Sequence, residues 1–205
     1  MPSTYKETRK VGIIIGSTRS QRVGPYIANY VHNLLNGNTS NTQVDVIDLQ
    51  EHPLPLFDDT VLPAHLPPAD PTPHYEQEHS RKWSSVIRDY DAFIFVTPQY
   101  NWSIPAALKN ALDYLYHEWA SKPAVIVTYG AKGGCRAGLH LENILTGLHM
   151  KPIEPVIALP LSLENGDTCI KTKAVLDEDR ERWASSGLQD SLKAAFDQLC
   201  KYLDE

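Results

Sequence analysis

Five times along the chain an apolar run of strand length gives way to a loop and later to residues at helical spacing. Beyond Lys10, Lys10-Val-Gly-Ile-Ile-Ile15 is apolar throughout, as is Ala92-Phe-Ile-Phe-Val96. Strands covered on both faces have this character, which predicts central positions in a parallel sheet. Val44-Asp-Val-Ile-Asp-Leu49 alternates in part, as a strand nearer the sheet edge does. Lys122–Gly130 is the next strand and Ile153–Pro160 the last; Pro152, Pro155 and Pro160 suit an edge position. Between them, Ile27, Tyr30, Val31, Leu34 and Leu35 mark one helix. Tyr75–Asp89 predicts a second, with Trp83, Val86 and Ile87 inward. Pro105–Glu118 and Leu139–Met150 follow, and Asp177–Leu203 closes the chain with a break near Ser185-Ser-Gly187. Alternating strands and helices predict a three-layer α/β/α sandwich on a five-stranded parallel sheet.

Three loops at the carboxyl ends of these strands carry the candidate chemistry. The longest pattern is Val96-Thr-Pro-Gln-Tyr-Asn-Trp-Ser-Ile-Pro-Ala-Ala-Leu-Lys-Asn110. Thr97-Pro98 is expected to stop the strand, since proline removes a ladder donor and restricts its predecessor. Ser103 is expected as the N-cap of the next helix, with Pro105 in its first turn. Gly16-Ser-Thr-Arg-Ser-Gln-Arg-Val-Gly24 joins a strand to a helix start, where amides, hydroxyls and an arginine fork can hold an anion. It has neither the G-x-x-x-x-G-K-[ST] nor the G-x-G-x-x-G spacing, which disfavours a Walker ATPase or an ordinary dinucleotide fold. Alone it is equally well a βα turn whose Arg19 and Arg22 meet water. Gly130-Ala-Lys-Gly-Gly-Cys-Arg136 holds glycines that permit close backbone approach or positive φ. Loops after strands one, three and four fit the order 2-1-3-4-5, whose ligand crevice opens between strands one and three.

Charge and composition narrow the classes. The 205 residues carry a net charge of -6, and a nucleic-acid surface needs a clustered basic face. No apolar run reaches membrane-spanning length. The first ten residues are polar without a signal-peptide core, which predicts a cytoplasmic protein. Cys135, Cys169 and Cys200 are too far apart for a zinc pattern or a disulfide framework. One domain over 1–205 is expected, with its core over about 10–160 and a helical segment over about 177–203. Glu51–His74 holds seven prolines and no period; a loop this long is functional or mobile. Its Pro53-Leu-Pro-Leu-Phe57 is apolar enough to pack against something. His52, His65, His74 and His79 are expected to be exposed rather than metal ligands. Two glycosylation sequons, Asn38-Thr-Ser40 and Asn101-Trp-Ser103, are read as chance.

The chain resembles the NADPH-dependent FMN reductase family of flavodoxin-like flavoproteins. The residues carrying the likeness are Gly16-Ser-Thr-Arg19, Thr97-Pro-Gln-Tyr-Asn101 with Ser103–Asp113, and Gly130 with Gly133-Gly134. The resemblance implies an FMN phosphate held by Ser17, Arg19, Arg22, Val23 and Gly24. It sets Pro98, Gln99, Tyr100, Asn101 and Trp102 along the isoalloxazine ring, and Tyr129, Gly130, Gly133 and Gly134 at its pyrimidine end. It implies hydride transfer from NADPH or NADH to the flavin, then reduction of a small-molecule electron acceptor such as a quinone or free flavin, by a homodimer or homotetramer. No catalytic side chain is called for, because the cofactor carries the chemistry. Two departures stand out: Trp102 replaces a common glycine, and Gly24 replaces a common asparagine. A flavodoxin-type electron carrier with no nicotinamide site of its own is the alternative within the fold. A phosphate-binding hydrolase is the third reading.

Overall fold

The computed structural model describes residues 8–36 and 41–205; the Asn38 sequon lies outside them. Five parallel strands form one sheet: β1 (Arg9–Ile15), β2 (Thr42–Asp48), β3 (Ala92–Pro98), β4 (Pro123–Gly130) and β5 (Lys151–Pro160). Their order is β2-β1-β3-β4-β5, so the partly alternating second strand and the proline-bearing fifth are the edges. Among the described residues, seven α-helices cover the sheet: α1 (Gly24–Leu35), α2 (Glu78–Arg88), α3 (Ala106–Asp113), α4 (Cys135–Gly147), α5 (Leu163–Thr172), α6 (Asp177–Ser185) and α7 (Leu188–Asp204).

Strand geometry sends successive side chains to opposite faces, and the chain has filled both. Val11, Ile13, Ile15, Ile94, Val96, Val125 and Val127 pack against α1 and α7. Ile14, Phe93, Phe95, Ala124 and Ile126 pack against α2, α3 and α4. Trp83, Phe93, Phe95 and Trp119 meet in the second core, with ring centroids 5.1 to 6.3 Å apart. Burial on both faces explains why the central strands carry no alternation.

Several element boundaries differ from the expectation, each for a tertiary reason. β3 runs through Pro98, which pairs with Tyr129 in register. α3 stops at Asp113 rather than Glu118. Beyond it Tyr114, Leu115, Glu118 and Trp119 are buried, and the Leu112 carbonyl accepts from both the Leu115 amide and Trp119 Nε1 at 3.3 Å. α2 begins at Glu78, not Tyr75, because the Tyr75 hydroxyl turns inward to Glu118 Oε1 at 2.9 Å. Pro105, not Ser103, is the N-cap of α3. α4 starts four residues before the expected Leu139, since Gln99 Oε1 accepts from the Arg136 and Ala137 amides at 3.0 and 3.3 Å. The sequence reading missed α5, whose start is capped by Ser162 Oγ accepting from the Asn165 amide at 3.0 Å. The closing helix is interrupted at Gly187, φ +77°, between α6 and α7.

The proline-rich span is mostly irregular, with 3-10 turns at Pro63–His65 and Thr72–His74. Leu54 and Phe57 pack against the second core. His65 and His74 are exposed, whereas His52 lies 5.5 Å from the Trp83 ring and His79 Nε2 lies 3.2 Å from the Tyr114 hydroxyl. The expectation of four exposed histidines therefore holds for two; aromatic neighbours cover the others.

Candidate active site

The sheet sets three loops side by side. The Gly16 amide donates to the Val96 carbonyl at 2.9 Å, which fixes the first loop against the end of β3. Pairing of Pro98 with Tyr129 puts the second and third loops next to each other. The Leu161 amide donates to the Gly130 carbonyl at 2.8 Å and brings the chain after β5 to the same place. Between them lies a cleft of about 210 Å³. One wall is Arg19, Arg22 and Val23, the second Pro98, Gln99 and Tyr100, the third Tyr129 and Gly130. The fourth wall, Ser162, Leu163, Gly166, Asp167 and Ile170, comes from α5 and its N-cap. Sequence reasoning missed that wall; a serine N-cap with Glu164 in the first turn was its only local signal.

The other anticipated residues shape the cleft without lining it. Ser17 is wholly buried, its Oγ 3.5 Å from the Tyr129 hydroxyl. Burial raises the Tyr129 phenol above its ordinary pKa, so it stays protonated. A Cβ on Gly24 would come within 2.6 Å of Ser17 Oγ and 3.0 Å of Tyr129 Oη. This hydroxyl pair therefore fills the space that a side chain at position 24 would need. Gly133 and Gly134, at φ +74° and +78°, lead into α4; Thr128 Oγ1 donates to the Gly133 carbonyl at 2.7 Å. Asn101 and Trp102 form the tip of the second loop, outside the cleft, and both are exposed. Thr18 faces a separate hollow of about 300 Å³ with Gln50, Leu54 and Asn110.

The two arginines of the first loop have different fates. Arg22 is nearly buried and forks onto Asp48, with contacts of 2.8 and 2.6 Å. It also donates to Gln50 Oε1 at 2.5 Å and to the Ser17 carbonyl. Its donors are committed to tying the loop to the end of β2. Arg19 is exposed and makes no ion pair among the described residues. α1 begins beside it with Val23 as N-cap and no side-chain cap. Pro25 has no N–H and the Tyr26 amide donates to the Val23 carbonyl at 2.9 Å, so the amides open to an anion are those of Val23 and Gly24.

A sequence model of NADPH-dependent FMN reductases matches residues 9–163, strand β1 through the cleft loops to the start of α5. The chain belongs to the NADPH-dependent FMN reductase family. Its relatives agree. The NAD(P)H-dependent FMN reductase LOT6 of Saccharomyces cerevisiae is 43% identical over 164 residues, 74% of this chain and 84% of that protein. The NAD(P)H-dependent FMN reductase ntnL of Nectria sp is 34% identical over 199 residues, 96% of this chain and 98% of that protein. A quinone reductase of Pseudomonas putida is 29% identical over 191 residues, 85% and 92% of the two chains. Among solved structures, the flavoenzyme FerB of Paracoccus denitrificans superposes with a TM-score of 0.69 at 22% identity, covering 95% of this chain and 98% of that one. Members of this family are oxidoreductases that use NAD(P)H. No helix among the described residues is long and apolar enough to cross a membrane.

Proposed function

We propose that the cleft holds FMN and that the protein passes reducing equivalents from NADPH or NADH to a small-molecule acceptor, a quinone or free flavin. The observation that carries this is Arg19, without an ion pair among the described residues, beside the uncapped start of α1, at one end of a cleft whose other walls include Pro98, Tyr100, Tyr129, Leu163 and Ile170. A phosphate monoester fits that end: a free fork and unbonded amides complement its charge. When bound, FMN supplies the hydride chemistry.

The chain's own residues bind and orient. Arg19 and the amides of Val23 and Gly24 take the phosphate, while Arg22 and Ser17 hold the loop in shape. Pro98, Gln99 and Tyr100 flank the ring, with Asn101 and Trp102 at its outer edge, and Tyr129, Gly130, Gly133 and Gly134 border the pyrimidine end. Gln99 acts from a fixed position, because its Oε1 is already bonded to α4. A terminal-phosphate loop without the G-x-G-x-x-G turn favours FMN over FAD.

We also infer a homodimer or homotetramer in the cytoplasm. Leu56, Val61 and Leu62, exposed at 84%, 42% and 58%, support assembly through the proline-rich span. Trp119, which is buried, does not contribute. The absence of any disulfide among the described residues suits a reducing compartment. Sedimentation as a single 23.0 kDa chain would rule the assembly out.

The deciding experiment is the absorption spectrum of purified protein, followed by NADPH addition. A yellow protein that bleaches with NADPH and recovers with a quinone is expected. A protein that neither carries nor takes up FMN in a fluorescence titration defeats the reading, and release of mainly FAD defeats the FMN preference.

A further inference from the structure

Beside the cleft, the second and third loops meet in a side-chain pair: Trp102, at the outer edge of the proposed ring site, and Arg136, whose guanidinium the roles above do not use. Trp102 follows Asn101 at positive φ, +69° after +47°, a region that L side chains rarely occupy. Its indole gains no burial in return, being 70% exposed. The loop fixes it there. Tyr100 and Ser103 exchange backbone hydrogen bonds of 2.9 and 3.0 Å, and Ser103 Oγ lies 2.5 Å from His140 Nδ1 on α4. The Arg136 guanidinium stands 4.9 Å from the centre of the indole. The Arg136 amide is bonded to Gln99 of the cleft wall, so the pair is anchored to the site's rim.

A guanidinium on an aromatic face keeps its edge N–H groups free for a planar, bidentate contact. Arg136 and its exposed loop neighbour Lys132 make no ion pair among the described residues. In a chain of net charge -6, two uncompensated cations on one rim of a cleft select an anionic ligand. A phosphate monoester uses such a fork; a hydroxyl in the same place makes only a neutral hydrogen bond.

We propose that Arg136, steadied by Trp102, binds the phosphate monoester on the adenosine ribose of NADPH and so sets a preference for NADPH over NADH. This rests on the reading of the cleft as a flavin and nicotinamide site. Arg136 is then a specificity-determining residue, remote from the hydride, with Lys132 as a second cation for the same group.

The test compares kcat/KM for NADPH and NADH in FMN-loaded wild type, Arg136→Ala and Trp102→Gly. Losing a charge-assisted fork is expected to lower the NADPH value about 10- to 100-fold, mainly through KM, and the NADH value less than about threefold. Trp102→Gly is expected to shift the ratio in the same direction by less, and Arg136→Ala to leave flavin content unchanged. Calorimetric titration with adenosine 2′-phosphate reads the site without turnover, and Arg136→Ala is expected to weaken that binding by a similar factor. An unchanged NADPH-to-NADH ratio overturns the proposal. So do equal losses with both coenzymes, or equal losses accompanied by a changed sedimentation coefficient, which would make the pair a subunit contact. A wild type that binds no FMN sinks the cleft reading instead, while unaltered adenosine 2′-phosphate binding in Arg136→Ala sinks this one alone.

Discussion

The cleft loops and the proline-rich span are both irregular chain, yet they treat their polar groups in opposite ways. In the span, Asn110 accepts from the Phe57 amide at 2.9 Å and donates to the Pro55 carbonyl at 2.7 Å. The Tyr114 hydroxyl donates to that same carbonyl at 3.1 Å. Deeper in, buried Glu118 accepts from Tyr75 and from Ser84 at 2.6 Å, and Ser84 meets Thr72 at 2.7 Å. Side chains on α2, α3 and the turn after α3 thus take up most of what the span offers, Asp59 Oδ1 being the buried exception. At the cleft, α1 starts without a side-chain cap and Arg19 has no ionic partner among the described residues. Buried polar groups are normally satisfied. Irregular chain that satisfies itself is scaffold; irregular chain left open at the carboxyl end of a parallel sheet is where a ligand completes the structure.

Cutting the tie between the two regions should have the largest effect. Asp48→Ala leaves the nearly buried Arg22 fork unpaired, and losing one partner of such a pair costs about 3 kcal/mol or more. Denaturant unfolding should show that loss, with weaker FMN binding, because Arg22 also holds the Ser17 carbonyl. Intact stability and intact FMN affinity would mean that the tie is dispensable.

Next comes Glu118→Ala, which strands the Tyr75 hydroxyl at about 1–3 kcal/mol and takes one hydrogen bond of about 0.5–1.5 kcal/mol from Ser84, whose contact with Thr72 remains. Stability should fall by about 1.5–4.5 kcal/mol on that basis while FMN affinity barely moves. A parallel loss of FMN affinity would erase the distinction between scaffold and site. Arg19→Ala is the converse case. It removes charge-assisted bonds of about 1.5–3 kcal/mol, or about 10- to 150-fold in FMN affinity, and should leave the unfolding midpoint unchanged. If FMN affinity holds, the phosphate lies elsewhere.

The smallest effect is a slope with pH. Lys122 donates to the Ile87 carbonyl at 2.8 Å and sits 5.4 Å from the Phe93 ring centre, and burial pushes its pKa down to about 8. Between about pH 8 and pH 10.5 the unfolded chain holds this proton and the folded chain does not. Stability therefore rises with pH across that window, until phenol ionisation in the unfolded chain works the other way. Burial holds the folded Tyr75 and Tyr129 phenols above their ordinary value. Lys122→Met should abolish the rise measured from pH 8 to 9.5; an unaltered slope would assign it to other groups.

Much of the cleft was legible because its signals are local. An apolar run ending in Gly16-Ser-Thr-Arg19, or in Thr97-Pro-Gln-Tyr-Asn101, declares a strand and the loop after it within a few residues. Less legible were the partners of each side chain. Arg19 and Arg22 are three positions apart in one loop, and nothing nearby tells that Asp48 claims the second. Gln99 looks like a ring contact, yet its carbonyl starts α4. α5 was hidden because Gly166 and a polar first turn weaken its period, while its burial comes from packing beside Val23 and Leu161.

By itself, then, the sequence determined the five-stranded parallel sheet, its order and the three loops at one end. Side-chain period and backbone restriction act over a handful of residues and need no distant partner. Tertiary structure alone decided which arginine stays free, where α3 stops, what holds the proline-rich span and which helix closes the cleft. Those outcomes turn on burial and hydrogen-bond satisfaction between groups tens of residues apart, such as Tyr75 with Glu118 and Asn110 with Pro55. A buried polar group must find a partner wherever the fold brings one within reach, and only the folded chain determines which that is.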